Sequence, residues 1–309
     1  MIHDDEPTDT YVFFNVTETK FYNVKVRLEF AHHWNTGSSD GLLWLFHETG
    51  DVVLFNPFLG DEFQLPSMSS LVTYENTCSV DVLGKIVLSS NPRQSKNFLV
   101  AIMYTKDHGP SDTLAFCQYG DKGWTPTQLL SPCYSDIICH NDQIHALSIK
   151  RGTIDIWDFL SPFPKKVVEF GDYPEISEIL LGQWLPLENQ QDDVGITWSA
   201  NLVKSMGENL IVRQYFLLEE GDSMLTIGFI VYRFDYGKRS WEPIQALPDR
   251  AILLGTHSSS ISVSTLDCSE FEANSIYYAE GDFFVVYNLE ERKINKKQHG
   301  KWKIDGFYA

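Results

Sequence analysis

Short apolar runs punctuated by Gly and polar residues recur along the chain, and four stretches share one layout. An apolar strand meets a tight turn ending in Gly plus a polar residue, and a second strand then closes on an aromatic and a turn-former. The copies are Leu42 to Pro57 around Gly50-Asp51, Gln143 to Phe159 around Gly152-Thr153, Leu202 to Phe216 around Gly207-Glu208, and Ile276 to Leu289 around Gly281-Asp282. Gly supplies the positive φ of a two-residue hairpin turn, so each copy predicts an antiparallel pair. A lone hairpin cannot bury its apolar face in water, whereas hairpins set radially bury each face against the next. The pattern therefore predicts an all-β fold, a β-propeller of mostly antiparallel four-stranded sheets.

The second-strand signature recurs as Leu54-Phe55-Asn56-Pro57, Ile156-Trp157-Asp158-Phe159, Val231-Tyr232-Arg233-Phe234 and Val286-Tyr287-Asn288-Leu289, with a looser copy at Leu114-Ala115-Phe116-Cys117. Its aromatics stand at 55, 116, 157, 232 and 287, so the gaps are 61, 41, 75 and 55 residues. Blades of about 40–50 residues divide the chain into six or seven, with long loops absorbing the unevenness. Tyr11 to Phe14 reads as an N-terminal strand that could complete the last blade. No Pro-, Ser- or Gly-rich window marks a linker, so residues 1–309 are expected to form one propeller domain.

Composition narrows the partners. With 42 acidic against 24 basic residues the net charge is −18, which disfavours nucleic acid, because a phosphate backbone needs a basic footprint. The local exception is Arg292, Lys293, Lys296, Lys297, Lys301 and Lys303 around Trp302, read as a solvated hairpin face or a docking patch for an acidic partner. Five cysteines without paired spacing point to a reducing compartment. The N-terminus is acidic and polar, unlike a signal peptide, and the longest apolar run, Phe98 to Tyr104, is too short for a bilayer span. The expected setting is cytoplasmic, nuclear or both, with no membrane partner.

Read in order, these blocks resemble the plant F-box-associated β-propellers of the KIB type, formerly a domain of unknown function. The series begins with Gly41-Leu42-Leu43-Trp44, Val53 to Gly60 and Phe63-Gln64-Leu65-Pro66. It continues through Lys85 to Pro92, Leu114 to Cys117, Gly120 to Thr125, Asp136-Ile137-Ile138 and Val231 to Asp235 with Trp241. Leu253-Leu254-Gly255, Ser260 to Val263 and Val286 to Glu290 close it. Trp124 and Trp241, each following a turn, read as core aromatics. The resemblance implies a substrate-recognition arm of a Skp-cullin-F-box ubiquitin ligase. An F-box needs about 40 helical residues; ten residues precede the first predicted strand, so no N-terminal F-box is recognised and a Skp-type adaptor is a doubtful partner. Thr256-His257 interrupts one block and Leu59 replaces a commonly small hydroxyl residue.

Catalytic signatures are sparse. There is no phosphate-cradling Gly-rich loop, Gly-x-Ser-x-Gly elbow or His pair with an intervening Glu. Cys133, Cys139, His140 and His145 are the best metal candidates by donor type, but strand pleating directs them apart, and no metal or other cofactor is expected. His32-His33 and His47 read as loop histidines. Asp192-Asp193 and Glu219-Glu220 read as solvated acids rather than catalytic pairs.

The expected function is a non-enzymatic protein-interaction module whose partner could be a ubiquitylation target. The alternatives are an F-box-less decoy that binds targets without ubiquitin transfer, and a propeller hydrolase with a loop-built site. Loops carry specificity in propellers, and the longest candidates, Tyr104 to Thr113, Leu187 to Asp193 and Leu217 to Leu225, are acidic or polar, favouring a basic partner surface. Trp34, an aromatic in a polar stretch, is the candidate protein-binding residue.

Overall fold

The computed structural model describes residues 10–15, 20–25, 34–47, 49–71, 83–105, 112–127, 133–148, 153–158, 165–170, 195–218, 224–235, 237–238, 240–255, 258–280 and 283–297. Strands β1 (Thr10–Asn15) and β2 (Lys20–Lys25) form a hairpin. The first blade is β3 (Trp34–Ser39), β4 (Leu42–Phe46), β5 (Val52–Phe55) and β6 (Glu62–Leu65). The second is β7 (Leu83–Leu88), β8 (Leu99–Thr105), β9 (Asp112–Gln118) and β10 (Thr125–Pro126). The third is β11 (Tyr134–His140), β12 (Gln143–Ser148), β13 (Thr153–Asp158) and β14 (Lys165–Phe170), and the fourth is β15 (Ile196–Ser205), β16 (Glu208–Leu218), β17 (Met224–Asp235) and β18 (Ser240–Ile244). Each is a four-stranded antiparallel meander, as the alternating turns predict.

A fifth unit contains β19 (Arg250–Leu253), β20 (Ile261–Ser264), β21 (Ser275–Glu280), β22 (Phe283–Asn288) and β23 (Lys293–Lys297). Its order is β20-β19-β21-β22-β23, with a parallel step between β19 and β21. A single parallel bridge, Lys204 to Ile261, joins it to the fourth blade. The aromatics that marked the repeat, Phe55, Phe116, Trp157, Tyr232 and Tyr287, all lie on the strand next to the outer edge of their sheet. All four predicted hairpins pair antiparallel.

Alternate residues of each strand feed different cores, because the pleat sends successive side chains to opposite faces. On β4, Leu42, Trp44 and Phe46 pack with Ile86, Val100 and Ile102 of the second blade, while Leu43 and Leu45 pack with Phe13 of β1. On β8, Val100 and Ile102 face the first blade, and Ala101 and Met103 face Ile137, Ile144 and Trp157 of the third. On β17, Ile230 and Tyr232 face the third blade, and Phe229 and Val231 face Ile276 and Tyr278 of the fifth unit. Strands buried on both faces read as continuous apolar runs, which is why β4 is Leu-Leu-Trp-Leu-Phe and buried throughout. Trp124 and Trp241 are core residues, as expected: Trp124 Nε1 donates to Pro66 O at 2.8 Å, and Trp241 packs edge-on against Phe234.

The expectation that Tyr11 to Phe14 completes the last blade is corrected. Among the described residues β1 pairs with β2, and its Phe13 lies against the first blade and Phe58. A local hairpin closes a short loop at far less entropic cost than pairing across the whole chain. Of the basic C-terminal cluster, Lys293, Lys296 and Lys297 fall on the outer edge strand β23, where charge opposes edge-to-edge pairing. Lys301, Trp302 and Lys303 lie outside the described residues.

The inner strands are tied by polar groups. Asp136, on β11 and 2% exposed, accepts from Lys85 Nζ on β7 at 2.5 Å and from Leu202 N on β15 at 2.6 Å. Its Oδ1 also takes the Ile137 N–H at 2.8 Å. One carboxylate thus joins three consecutive blades. Between the fifth unit and the first blade, Ser38 N donates to Ser258 Oγ at 3.1 Å and Ser259 N to Ser38 O at 3.1 Å. Within the fifth unit's own segment Gly255 lies hard against Ser258, where a Cβ on it would stand 2.7 Å from Ser258 O.

Two stability predictions follow from these seams. Asp136→Asn should destabilise the protein by about 3–5 kcal/mol in urea unfolding, because it leaves the Lys85 ammonium buried without its counter-charge. Adding Lys85→Met should recover part of that loss; strictly additive costs would contradict the pairing. Gly255→Ala should cost about 1–3 kcal/mol by crowding Ser258, and an unchanged midpoint would contradict the close approach.

Candidate functional site

The last residues of β3, β7, β11 and β15 and the segment leading into β20 converge on a cavity of about 830 Å³ at one end of the ring. Its wall is rich in hydroxyls, with Ser38, Ser39, Ser89, Ser90, Ser259 and Ser260, and it carries the charges of Asp40, Asp142 and Lys204. This mouth follows directly from the repeat, because every blade delivers the end of its inner strand to the same rim.

Two-residue turns hold the rim. Asp40-Gly41 joins β3 to β4, Asn141-Asp142 joins β11 to β12, and Met206-Gly207 joins β15 to β16; φ is positive at both residues of each turn, between 51° and 80°. Such paired positive φ values match the right-handed strand twist and keep the hairpin short. Sequence reasoning passed over the first two turns, although Asp-Gly and Asn-Asp between apolar runs are the signal that could have found them. It also placed the third one residue late, at Gly207-Glu208, whereas Glu208 already pairs with Ser205.

The mouth is anionic on balance. Asp40 and Asp142 are exposed, and neither forms an ion pair among the described residues; Asp40 Oδ2 accepts from Ser39 Oγ at 2.8 Å. Cys139 reports their convergence. Burial first, and then the carboxylates of Asp142 and Asp40, push its thiol up to about 11, with Lys204 pulling the other way. At neutral pH Cys139 is a thiol pointing at Ser89 O, 3.9 Å away, and a poor nucleophile.

The four donors weighed as metal candidates do not gather at one point. Cys139 lines the mouth, whereas its neighbour His140 faces the other side of β11 and meets His145, with ring centroids 5.4 Å apart. Cys133 precedes β11 in a left-handed conformation, φ 46°. Among the described residues no three His, Cys, Asp or Glu side chains gather as a metal cluster. His47 is a loop histidine, its Nδ1 2.8 Å from Thr49 Oγ1. His32, His33, Asp192, Asp193, Glu219 and Glu220 lie outside the described residues, as do 106–111, 187–193 and 219–223 of the candidate loops. Trp34 opens β3 opposite Phe46, at the far end of the strand from Asp40, so the mouth does not include it. No helix among the described residues is long and apolar enough to cross a membrane.

The family comparison agrees with this architecture. The KIB1-4 beta-propeller family matches residues 13–303. A putative F-box protein of Arabidopsis thaliana is 22% identical over 287 residues, 89% of this chain and 73% of that protein. An Arabidopsis thaliana F-box/kelch-repeat protein is 22% identical over 313 residues, 97% of this chain and 76% of that protein. Among solved structures, the N-terminal domain of Nup159 matches at 10% identity with a TM-score of 0.36, over 82% of this chain and 72% of that one. With the family match running through all the described blades, the chain belongs to the KIB1-4 beta-propeller family.

Proposed function

We propose that this propeller is a protein-capture module that seats a basic segment of its partner at the channel mouth. The observation that carries the reading is the hydroxyl-lined cavity with two exposed carboxylates, Asp40 and Asp142, on rigid two-residue turns. Serine oxygens and carboxylates accept hydrogen bonds from guanidinium or ammonium groups, and the net charge of −18 steers a basic surface toward the rim.

Met206 adds an apolar contact. It is 74% exposed, at a left-handed φ of 51°, in the turn that follows Lys204. A non-glycine residue in that conformation is uncommon, and strain retained at an exposed rim points to use. A flexible thioether adapts to varied partner surfaces.

The relatives are named as F-box proteins, which supports a role in presenting the captured protein to a ubiquitin ligase. A decoy that captures without delivering is the alternative, and direct binding of this chain to a Skp-type adaptor separates the two. The four described cysteines, Cys117, Cys133, Cys139 and Cys268, are free thiols, which supports a cytoplasmic or nuclear setting. Trp34 is the proposed contact for a partner that reaches the opposite end of the inner strands.

The double variant Asp40→Asn/Asp142→Asn, which keeps residues that tolerate the positive φ of both turns, should weaken binding of a captured basic protein by about five-fold or more with unfolding little changed, and added salt should weaken the wild-type complex. Equal affinity of variant and wild type would overturn the mouth as the capture site. Met206→Gly should move two readouts in opposite directions: a modestly higher melting temperature, from relief of backbone strain, and weaker capture.

A further inference from the structure

The β5–β6 turn of the first blade carries Phe58 and Leu59, 67% and 55% exposed. Among the described residues they are the only large exposed apolar side chains adjacent in sequence. The turn is built to hold them outward. Asn56 Oδ1 accepts from Phe58 N at 3.0 Å and from Leu59 N at 2.9 Å, Gly60 N donates to Asn56 O at 2.8 Å, and Gly60 takes the positive φ of 74° that closes the loop. The Phe58 ring also rests against Phe13, with centroids 5.1 Å apart. An apolar surface fixed in this way has little ordering left to lose when a partner covers it.

Strand pairing puts this turn at the mouth end of the blade. Leu43, which follows the Asp40-Gly41 turn, pairs with Phe55, and Phe55 pairs with Glu62, so the β3–β4 and β5–β6 turns leave the same end. Two strand spacings, about 10 Å, separate them. A second path links the turn to the mouth through the second blade. Asn91, which lines the mouth, accepts from Arg93 N at 2.9 Å, and Arg93 Nε reaches Asp61 Oδ2 of the Phe58 turn at 2.9 Å. That ion pair offsets the charge of Arg93, so the carboxylates of Asp40 and Asp142 set the sign of the approach.

We propose that the segment captured at the mouth is extended and amphipathic, with a basic side chain at Asp40 and Asp142 and a Leu-, Met- or Phe-like side chain seated on Phe58 and Leu59, about three residues away. The inference rests on capture of a basic segment at the mouth and adds the neighbour that segment must carry. An extended chain advances about 3.3 Å per residue, so three residues cover the two strand spacings between the turns. Exposed charge pairs are weak and screened by salt, and they accept any basic surface. An apolar side chain on a rigid aromatic adds binding that salt does not screen, and it discriminates the right basic segment from the rest.

The test selects from a random linear-peptide library on the immobilised full chain. Peptides retained by the wild type should carry Arg or Lys with Leu, Met or Phe about three positions away. Asp40→Asn/Asp142→Asn should lose the basic preference, and Phe58→Ser/Leu59→Ser the apolar one alone. In fluorescence titrations, changing a selected peptide's apolar residue to Ser should weaken wild-type binding about five-fold or more and leave binding to Phe58→Ser/Leu59→Ser nearly unchanged. Basic peptides retained without an apolar residue at that spacing would overturn this inference and leave capture at the mouth standing. Retention without basic residues, or no retained peptide, would overturn both. Should Phe58→Ser/Leu59→Ser fail to fold, Leu59→Ser alone keeps the contact of Phe58 with Phe13 and takes its place. Equal wild-type affinity for the selected and Ser-substituted peptides would overturn the inference without any variant.

Discussion

A single buried carboxylate sets the geometry on which the rest of the propeller depends. Asp136 receives the Lys85 ammonium from one side and the Leu202 amide from the other, so the inner strands of the second, third and fourth blades share one polar node. Apolar contact alone would let neighbouring blades slide, since packing between faces is weakly directional. A desolvated carboxylate with donors on separate strands is directional, and any slip would strand charge in a low-dielectric interior. Serine contacts do comparable work between the fifth unit and the first blade.

Fixing the inner strands creates the mouth. Because each blade brings the end of its first strand to the same rim, residues far apart in sequence, Asp40, Asp142, Lys204 and Ser259, line one cavity. The apolar faces of the strands are used in packing against adjacent blades, leaving polar turn residues exposed at the rim. The family's F-box relatives show the kind of protein in which such a propeller occurs.

Much of the fold was legible because propeller blades are local hairpins. Phe55, Phe116, Trp157, Tyr232 and Tyr287 recur because each lies next to the outer strand of its sheet, although Tyr232 stands on the third strand of its blade and not on the second strand of its predicted hairpin. The long gap before Tyr232 reflects the extended strands β15 and β16 together with 171–194, which lie outside the described residues. The fifth unit was less legible: its parallel step and the Ser38 to Ser258 contact depend on partners distant in the chain. The site was mostly illegible for the same reason. Lys85 and Asp136 each place a charge in an apolar strand, but 51 residues separate them and nothing local says that they meet. The metal candidates show the converse, where pleating correctly separated Cys139 from His140 yet the diagonal register brought His140 to His145.

Site-resolved amide hydrogen exchange tests the closed ring most directly. Leu202 N–H ends on a side-chain oxygen, and Ser259 N–H crosses from the fifth unit to the first blade. A closed ring predicts that both amides exchange only through global unfolding, as slowly as those of the buried strand β8. Rapid exchange at Ser259 or Leu202 while β8 stays protected would contradict it, because the inner strands would then be open to water.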